Sequence, residues 1–256
     1  MSIILDNISR IFQLNDKTYN TVISNLSIHI QEGSIVVILG QSGCGKSTLL
    51  NMISGILNPS CGEIRIHDKK VISPNPNIAY LFQTPTLLPW LSIAENIAFG
   101  CRIRKDNVKL SERVKYYIDL MGLSGFGHYH PREISSGMAS RVCLARALIA
   151  HPYVLLLDEP FSSLDTISKE KLYSILIQIW KQKKFTILLV THDIDEAIQL
   201  GTRVMLLGGK PSNIKHDINI NEAYPRSITN ENMIHLRKQI YDQYHSVFQW
   251  NYDVIP

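Results

Sequence analysis

Gly40-Gln41-Ser42-Gly43-Cys44-Gly45-Lys46-Ser47-Thr48 follows an unbroken apolar run, Ile35-Val36-Val37-Ile38-Leu39, and leads into Leu49-Leu50-Asn51-Met52-Ile53. A strand feeding a glycine-rich turn and then a helix is the context in which the spacing G-x-x-x-x-G-K-[ST] binds phosphate. The glycines admit backbone turns that a side chain blocks, so successive N–H groups and a helix start can converge on an anion. Lys46 supplies a fixed positive charge, and the Ser47 hydroxyl is placed to ligate Mg²⁺ beside the phosphates. Gly40, Gln41, Ser42, Gly43, Cys44, Gly45 and Thr48 complete the predicted cradle. An ordinary strand-to-helix turn accounts for a lone G-x-G but not for the full spacing.

A second constellation lies far along the chain. Val154-Leu155-Leu156-Leu157 is apolar at every position, as in a strand buried on both faces of a parallel sheet, and it ends in Asp158-Glu159. A carboxylate beside a dry core is costly unless a cation or hydrogen bonds compensate it. Mg²⁺ is the natural compensator, held by Asp158 directly or through water, and Glu159 is placed to polarise the water that attacks a γ-phosphate. Taken alone, the pair also fits two turn acids before Pro160. His192, in Thr191-His192-Asp193, follows another buried run, Phe185–Val190. It too falls at a C-terminal strand edge, where ligands of open α/β sheets gather. The adjacent Asp193, Asp195 and Glu196 read as first-turn acids favoured by a helix dipole.

The rest of the chain fills in around these sites. Ser2–Phe12, Val22–Ile30 and Gly62–His67 alternate as strands, and Ile78–Phe82 is a short apolar strand ending at Gln83. Helical periodicity follows through Ser92–Phe99 and Ser111–Met121, predicting a helical lobe inserted into an α/β domain. Ile167–Lys181 is a helix between two buried strands, which is a βαβ arrangement. In the tail, Asn230–Trp250, the residues Met233, Leu236, Ile240, Tyr244 and Val247 recur at helical spacing and predict a packing stripe.

Composition bounds the partners. The 256 residues carry 26 Lys+Arg against 22 Asp+Glu, a net charge of +4 with no long basic run, which predicts no nucleic-acid partner. Cys44, Cys61, Cys101 and Cys143 form no C-x-x-C pair and predict a reducing, cytoplasmic compartment. No apolar run approaches the roughly 20 residues that span a bilayer, so a membrane role is peripheral. The guanine-reading Asn-Lys-x-Asp of GTPases is absent; Asn15-Asp16-Lys17 has the wrong order.

With these residues in order, the chain resembles the ATP-binding subunit of an ABC transporter. Gly40–Thr48 resembles the Walker A loop, Gln83 the Q-loop, Ile134-Ser135-Ser136-Gly137-Met138 the signature, Val154–Glu159 the Walker B strand, Ser162-Ser163-Leu164-Asp165 the D-loop and His192 the H-loop. Phe82-Gln83, Leu87-Leu88-Pro89-Trp90, Glu95-Asn96, Asp158-Glu159-Pro160-Phe161 and Tyr224-Pro225-Arg226 are similar to the nitrate, sulfonate and taurine import group. Leu87–Trp90 is alternatively a hydrophobic core patch.

The resemblance implies an α/β P-loop NTPase of ABC type. Its RecA-like core with an N-terminal antiparallel β subdomain is expected over 1–86 and 153–256, and its helical lobe over 87–152. It implies ATP and Mg²⁺ as cofactors and a homodimer closing head-to-tail. Ser135, Ser136 and Gly137 of one copy then face the γ-phosphate held by the other, with Asp165 across the interface. Gln83 is expected on Mg²⁺ or the attacking water, Glu159 as base and His192 on the γ-phosphate. Phe12 resembles the aromatic that stacks on adenine, with Tyr19 as a second candidate and a core role for Phe12 as the alternative. Permease subunits and an extracytoplasmic solute-binding protein are the implied partners, at the cytoplasmic face of the inner membrane. A stand-alone or regulatory ABC-type ATPase is the competing function. Ser136 departs from the glycine of the family pattern, and a need there for positive φ or for close phosphate approach would weaken closure.

Overall fold

The computed structural model describes residues 2–14 and 17–248. In chain order the elements are β1 (Ile3–Gln13), β2 (Tyr19–Ile30), β3 (Ile35–Leu39), α1 (Lys46–Ser54), β4 (Cys61–Ile66), β5 (Lys69–Lys70), β6 (Ile78–Leu81), α2 (Ile93–Ile103), α3 (Leu110–Leu120), α4 (Ser136–Leu148), β7 (Val154–Asp158), α5 (Thr166–Lys183), β8 (Thr186–Thr191), α6 (Ile194–Leu200), β9 (Arg203–Gly208), β10 (Asn213–Asn219) and α7 (Glu231–Val247). They form two compact units, one from the segments up to Asn75 and from Thr186 onward, the other from Pro76–Phe185.

In the first unit, β2-β1-β4-β5 make an antiparallel sheet. Its register sets Ile3 opposite Ile30 and Ile66, and Leu5 opposite Ile28 and Ile64, so the apolar positions of three strands share one buried face. A second sheet joins β8, β3 and β9 in parallel, Val37 lying between Leu189 and Val204, with β10 antiparallel on β9. Every residue of β3 and β8 is buried, as their unbroken apolar runs require. α1 leaves the end of β3 and buries Leu49, Leu50, Met52 and Ile53.

α7 turns Met233 and Ile240 fully inward, with Leu236, Tyr244 and Val247 half-buried. The predicted stripe is therefore a packing face; Trp250 lies outside the described residues.

In the second unit β6 and β7 pair in parallel, Ile78 with Val154 and Leu81 with Leu157. α2, α3 and α4 pack on one another, and their Ile93, Ile97, Val114, Ile118, Val142 and Leu144 are buried. α2 opens with a capping box, Ser92 accepting from Glu95 N while Glu95 accepts from Ser92 N. Asn96, fully buried, accepts from Leu88 N at 2.8 Å and donates to the carbonyls of Leu88 and Leu91 at 3.1 and 3.0 Å. That satisfied amide pins the loop ahead of α2, because a buried amide without partners is costly.

Candidate functional site

In the first unit, the turn after β3 is held at both ends. Gly40 N donates to Thr191 O at 3.2 Å, tying the loop to the last residue of β8. A Cβ on Gly40 would stand 2.7 Å from both Cys44 Sγ and Leu207 O, so the loop packs too closely there for any other residue. Gly45 caps α1 at φ 94°, in the left-handed region, and no side chain caps the helix. A helix start of this kind carries the positive end of the helix dipole, which favours an anion.

Lys46, 5% exposed, curls back to donate to Gly40 O at 2.9 Å and Gln41 O at 3.1 Å. Ser42, Gly43 and Ser47 face solvent, while Gln41, Cys44 and Thr48 are half-buried.

His192 is exposed at the same sheet edge, because Leu39 and Thr191 are partners across β3 and β8. The acids beside it serve the helix start as expected. Asp193 caps α6, accepting from Asp195 N at 2.9 Å and Glu196 N at 3.2 Å. Phe12 is half-buried with the Arg10 guanidinium 4.4 Å over its ring. Tyr19, 70% exposed, sits opposite Gln13.

In the second unit, the parallel pairing of β6 and β7 brings Gln83 and the acidic pair together. Gln83 Nε2 donates to Glu159 Oε2 at 3.2 Å. Asp158, 6% exposed, accepts from the Tyr80 hydroxyl at 3.3 Å. Burial, and then the charge of Asp158, raise the Tyr80 pKa, so the phenol stays a proton donor to the carboxylate.

Glu159 adopts φ 44°, the left-handed region that non-glycine residues enter at a cost of about 1 kcal/mol or more. Its carbonyl accepts from Ser162 N at 3.3 Å and Ser162 Oγ at 3.0 Å, and this turn holds the strained backbone. Asp158 is buried at the strand end, and the Glu159 side chain reaches Gln83.

Ser135 is the N-cap of α4, its Oγ accepting from Met138 N at 3.2 Å. Ser136 is the first helical residue, and it is absent from the positions of positive φ. No positive φ arises at Ser136, because the first position of a helix takes helical φ, which serine supplies. Restoring the family glycine, Ser136→Gly, is expected to leave ATP turnover within about twofold of the parent, since glycine at a helix's first turn costs little more than propensity. Steady-state hydrolysis at saturating ATP checks this, and a large loss would return Ser136 to a direct role.

Two contacts in this unit carried no sequence signal. The Ser140 hydroxyl, buried, donates to Ser136 O at 3.1 Å and lies 3.2 Å from Ser163 Oγ. A Cβ on Gly137 would meet Leu164 Cδ2 at 3.0 Å, so the helix start and the segment before α5 are packed face to face. Asp165 caps α5, accepting from Ser168 N at 3.0 Å, and hydrogen bonds from the Ser168 hydroxyl and N–H hold its carboxyl below the usual range. Beside β6, a groove of about 370 Å³ is lined by Tyr80, Phe82, Leu88, Phe99, Cys143 and Arg146. Leu87 and Leu88 are half-buried and Trp90 is 70% exposed, so Leu87–Trp90 is a surface element rather than core.

An α/β core that carries an antiparallel sheet, and that runs through three helices between a glutamine-ended strand and an acid-ended one, is the fold of the ABC-type ATPases. The sequence profile of the ABC transporter family matches residues 23–162, and the chain belongs to that family. It is 41% identical to the aliphatic sulfonates import ATP-binding protein SsuB of Bacillus cereus over 95% of this chain and 96% of that protein. It is 40% identical to the nitrate import ATP-binding protein NrtD of Synechocystis over 78% and 75% of the two chains. A solved ATP-binding cassette, a dimer in a post-hydrolysis state bound to ADP and Pi, superposes with a TM-score of 0.77 at 26% identity, covering 86% of this chain and all of that one. The chain is an ATPase of this family.

Proposed function

We propose that this chain powers an ABC importer, hydrolysing ATP at a head-to-tail dimer interface to move a small sulfonate-, nitrate- or taurine-like solute through a separate permease. The observation that carries the reading is the Glu159 carboxylate, set on a strained turn and held by Gln83 at the end of a buried acidic strand. A base that must orient one water is fixed in this way, and an unconstrained surface glutamate is not. The names of the relatives supply the solute class, and the dimeric cassette supports the pairing of two copies.

ATP phosphates are assigned to Gly40–Thr48, with Lys46 on their charge and Phe12 against the base. Among the described residues no three His, Cys, Asp or Glu side chains cluster to hold a metal by themselves. Mg²⁺ keeps several waters and is bound by one or two carboxylates together with substrate phosphates; here Asp158 is the carboxylate, with Ser47 and Gln83 as the further ligands. When bound, the ion neutralises charge on the transferring phosphoryl group. Glu159 accepts the proton of the attacking water and His192 donates to the γ-phosphate. From the second copy, Ser135, Ser136 and Gly137 present the exposed start of a 13-residue helix to the same phosphate, with Asp165 at the interface.

The domain is read as one cassette, 1–86 and 153–256 forming the core and 87–152 the lobe. No described helix is long and apolar enough to cross a membrane; the import ATP-binding names of the relatives support a peripheral subunit on the cytoplasmic face. The groove beside β6, with exposed Trp90 nearby in sequence, is the proposed permease seat, and an extracytoplasmic binding protein delivers the solute. Expressed with its permease, the chain is expected to co-purify with it, and Trp90→Asp to weaken that association by about tenfold or more while leaving basal hydrolysis unchanged, as loss of a large exposed aromatic anchor does. Hydrolysis with no permease in the complex, and no solute uptake by the reconstituted assembly, would favour a stand-alone ATPase.

A further inference from the structure

His192 precedes a helix too short to hold its own place. α6 has seven residues, and isolated helices of that length are marginal in water, so its position depends on what grips it. Ala197, Ile198 and Leu200 bury its apolar side, and the polar grip on its end comes from the segment after β10. Arg226, half-buried, donates from Nη1 to Ile198 O at 2.9 Å and to Gly201 O, and from Nε to Glu222 O at 2.9 Å. The Tyr224 hydroxyl donates to Leu200 O, and its ring lies 4.1 Å beneath the Arg226 guanidinium. These groups fill the carbonyl end of α6, the acceptors that a helix leaves unpaired, and place a cation where the dipole is negative. At the other end Arg237 of α7 grips Asp195 in the first turn, with Nε at 2.5 Å and Nη2 at 3.2 Å.

We propose that Arg226, braced by Tyr224 and assisted by Arg237, is a positioning residue for ATP hydrolysis that fixes His192 by clamping α6 at its far end. The inference rests on the γ-phosphate role of His192. Three links connect the clamp to that histidine: the rigid turns of α6, the Asp193 cap, and the 3.1 Å bond from Asp193 N to Thr191 Oγ1 that straddles it. Loosening the carbonyl end lets α6 tilt about this cap, so the imidazole loses its place without any change in the phosphate loop.

The test is a double-mutant cycle in the full-length chain, read as kcat and KM for ATP hydrolysis and as ATP affinity. Arg226→Met is expected to lower kcat about tenfold with ATP affinity within twofold, since small misplacements of a reacting group cost that much and more. In a His192→Ala background the same change is expected to cost nothing further in the residual rate. Arg226→Lys, which keeps the charge but not the fork, is expected to fall between. Should Arg226→Met not fold, Arg237→Gln removes a half-exposed side chain and is expected to lower kcat by about threefold with the same dependence on His192.

Losses that multiply in the His192→Ala background, or that appear as a higher KM with normal kcat, would overturn the clamp while leaving His192 in place. Normal turnover of His192→Ala alone would overturn the role of the histidine and the clamp with it.

Discussion

Glu159→Gln is expected to cut steady-state ATP hydrolysis by about a hundredfold to ten-thousandfold, the range lost with a positioned general base, while ATP still binds. The substitution keeps the shape of the side chain, so the contact with Gln83 is retained in kind, and what disappears is the capacity to accept a proton. Because the strain at φ 44° belongs to the backbone and to the Ser162 turn, the fold is indifferent to the change. The variant should therefore bind ATP without consuming it and accumulate as a nucleotide-bound dimer. Size-exclusion chromatography with and without Mg²⁺-ATP reads the dimer, and phosphate release reads the rate. Hydrolysis at the parental rate would remove Glu159 from the base role and turn attention to Gln83 or His192.

What the sequence disclosed and what it hid follow from the reach of each interaction. Strands β3, β7 and β8 are buried at every position, and such strands announce themselves as unbroken aliphatic runs with chemistry at their C-terminal ends. Lys46, Asp158 and His192 were legible for that reason. β10 was not, because an edge strand with alternating exposure, from Asn213 to Asn219, carries no continuous run. The Ser-Ser-Gly segment was visible as a motif, but the backbone conformation of Ser136 was not, since a motif does not carry φ. A glycine in a family pattern suggests a positive φ, whereas Ser136 opens a helix and needs none.

Side-chain ties across the sequence were the least visible. Tyr80 on Asp158, Ser140 beside Ser163 and Arg226 on the end of α6 join residues 78, 23 and 25–28 positions apart, and no local period encodes such a pair. Asp165 shows the opposite lesson: a residue singled out for the partner copy also does ordinary work as the cap of α5.

Lys46→Met is expected to weaken ATP binding by at least about a hundredfold, because charge-assisted hydrogen bonds contribute roughly 1.5–3 kcal/mol and the proposed phosphate site calls on more than one from this ammonium. Lys46 Nζ donates to Gly40 O at 2.9 Å and Gln41 O at 3.1 Å, so the ammonium is held within the loop rather than extended into solvent. Methionine fills the same space at a site that is 5% exposed but leaves both carbonyls without this donor, so the nucleotide-free protein should also melt at a lower temperature. Arginine is no substitute, since its planar fork is too wide for a loop in which even a Cβ on Gly40 would stand 2.7 Å from Leu207 O. Calorimetric titration with ATP and Mg²⁺ decides the matter. Parental affinity in Lys46→Met would mean that the glycine turn after β3 does not hold the phosphates, and every role assigned around it would have to be rebuilt.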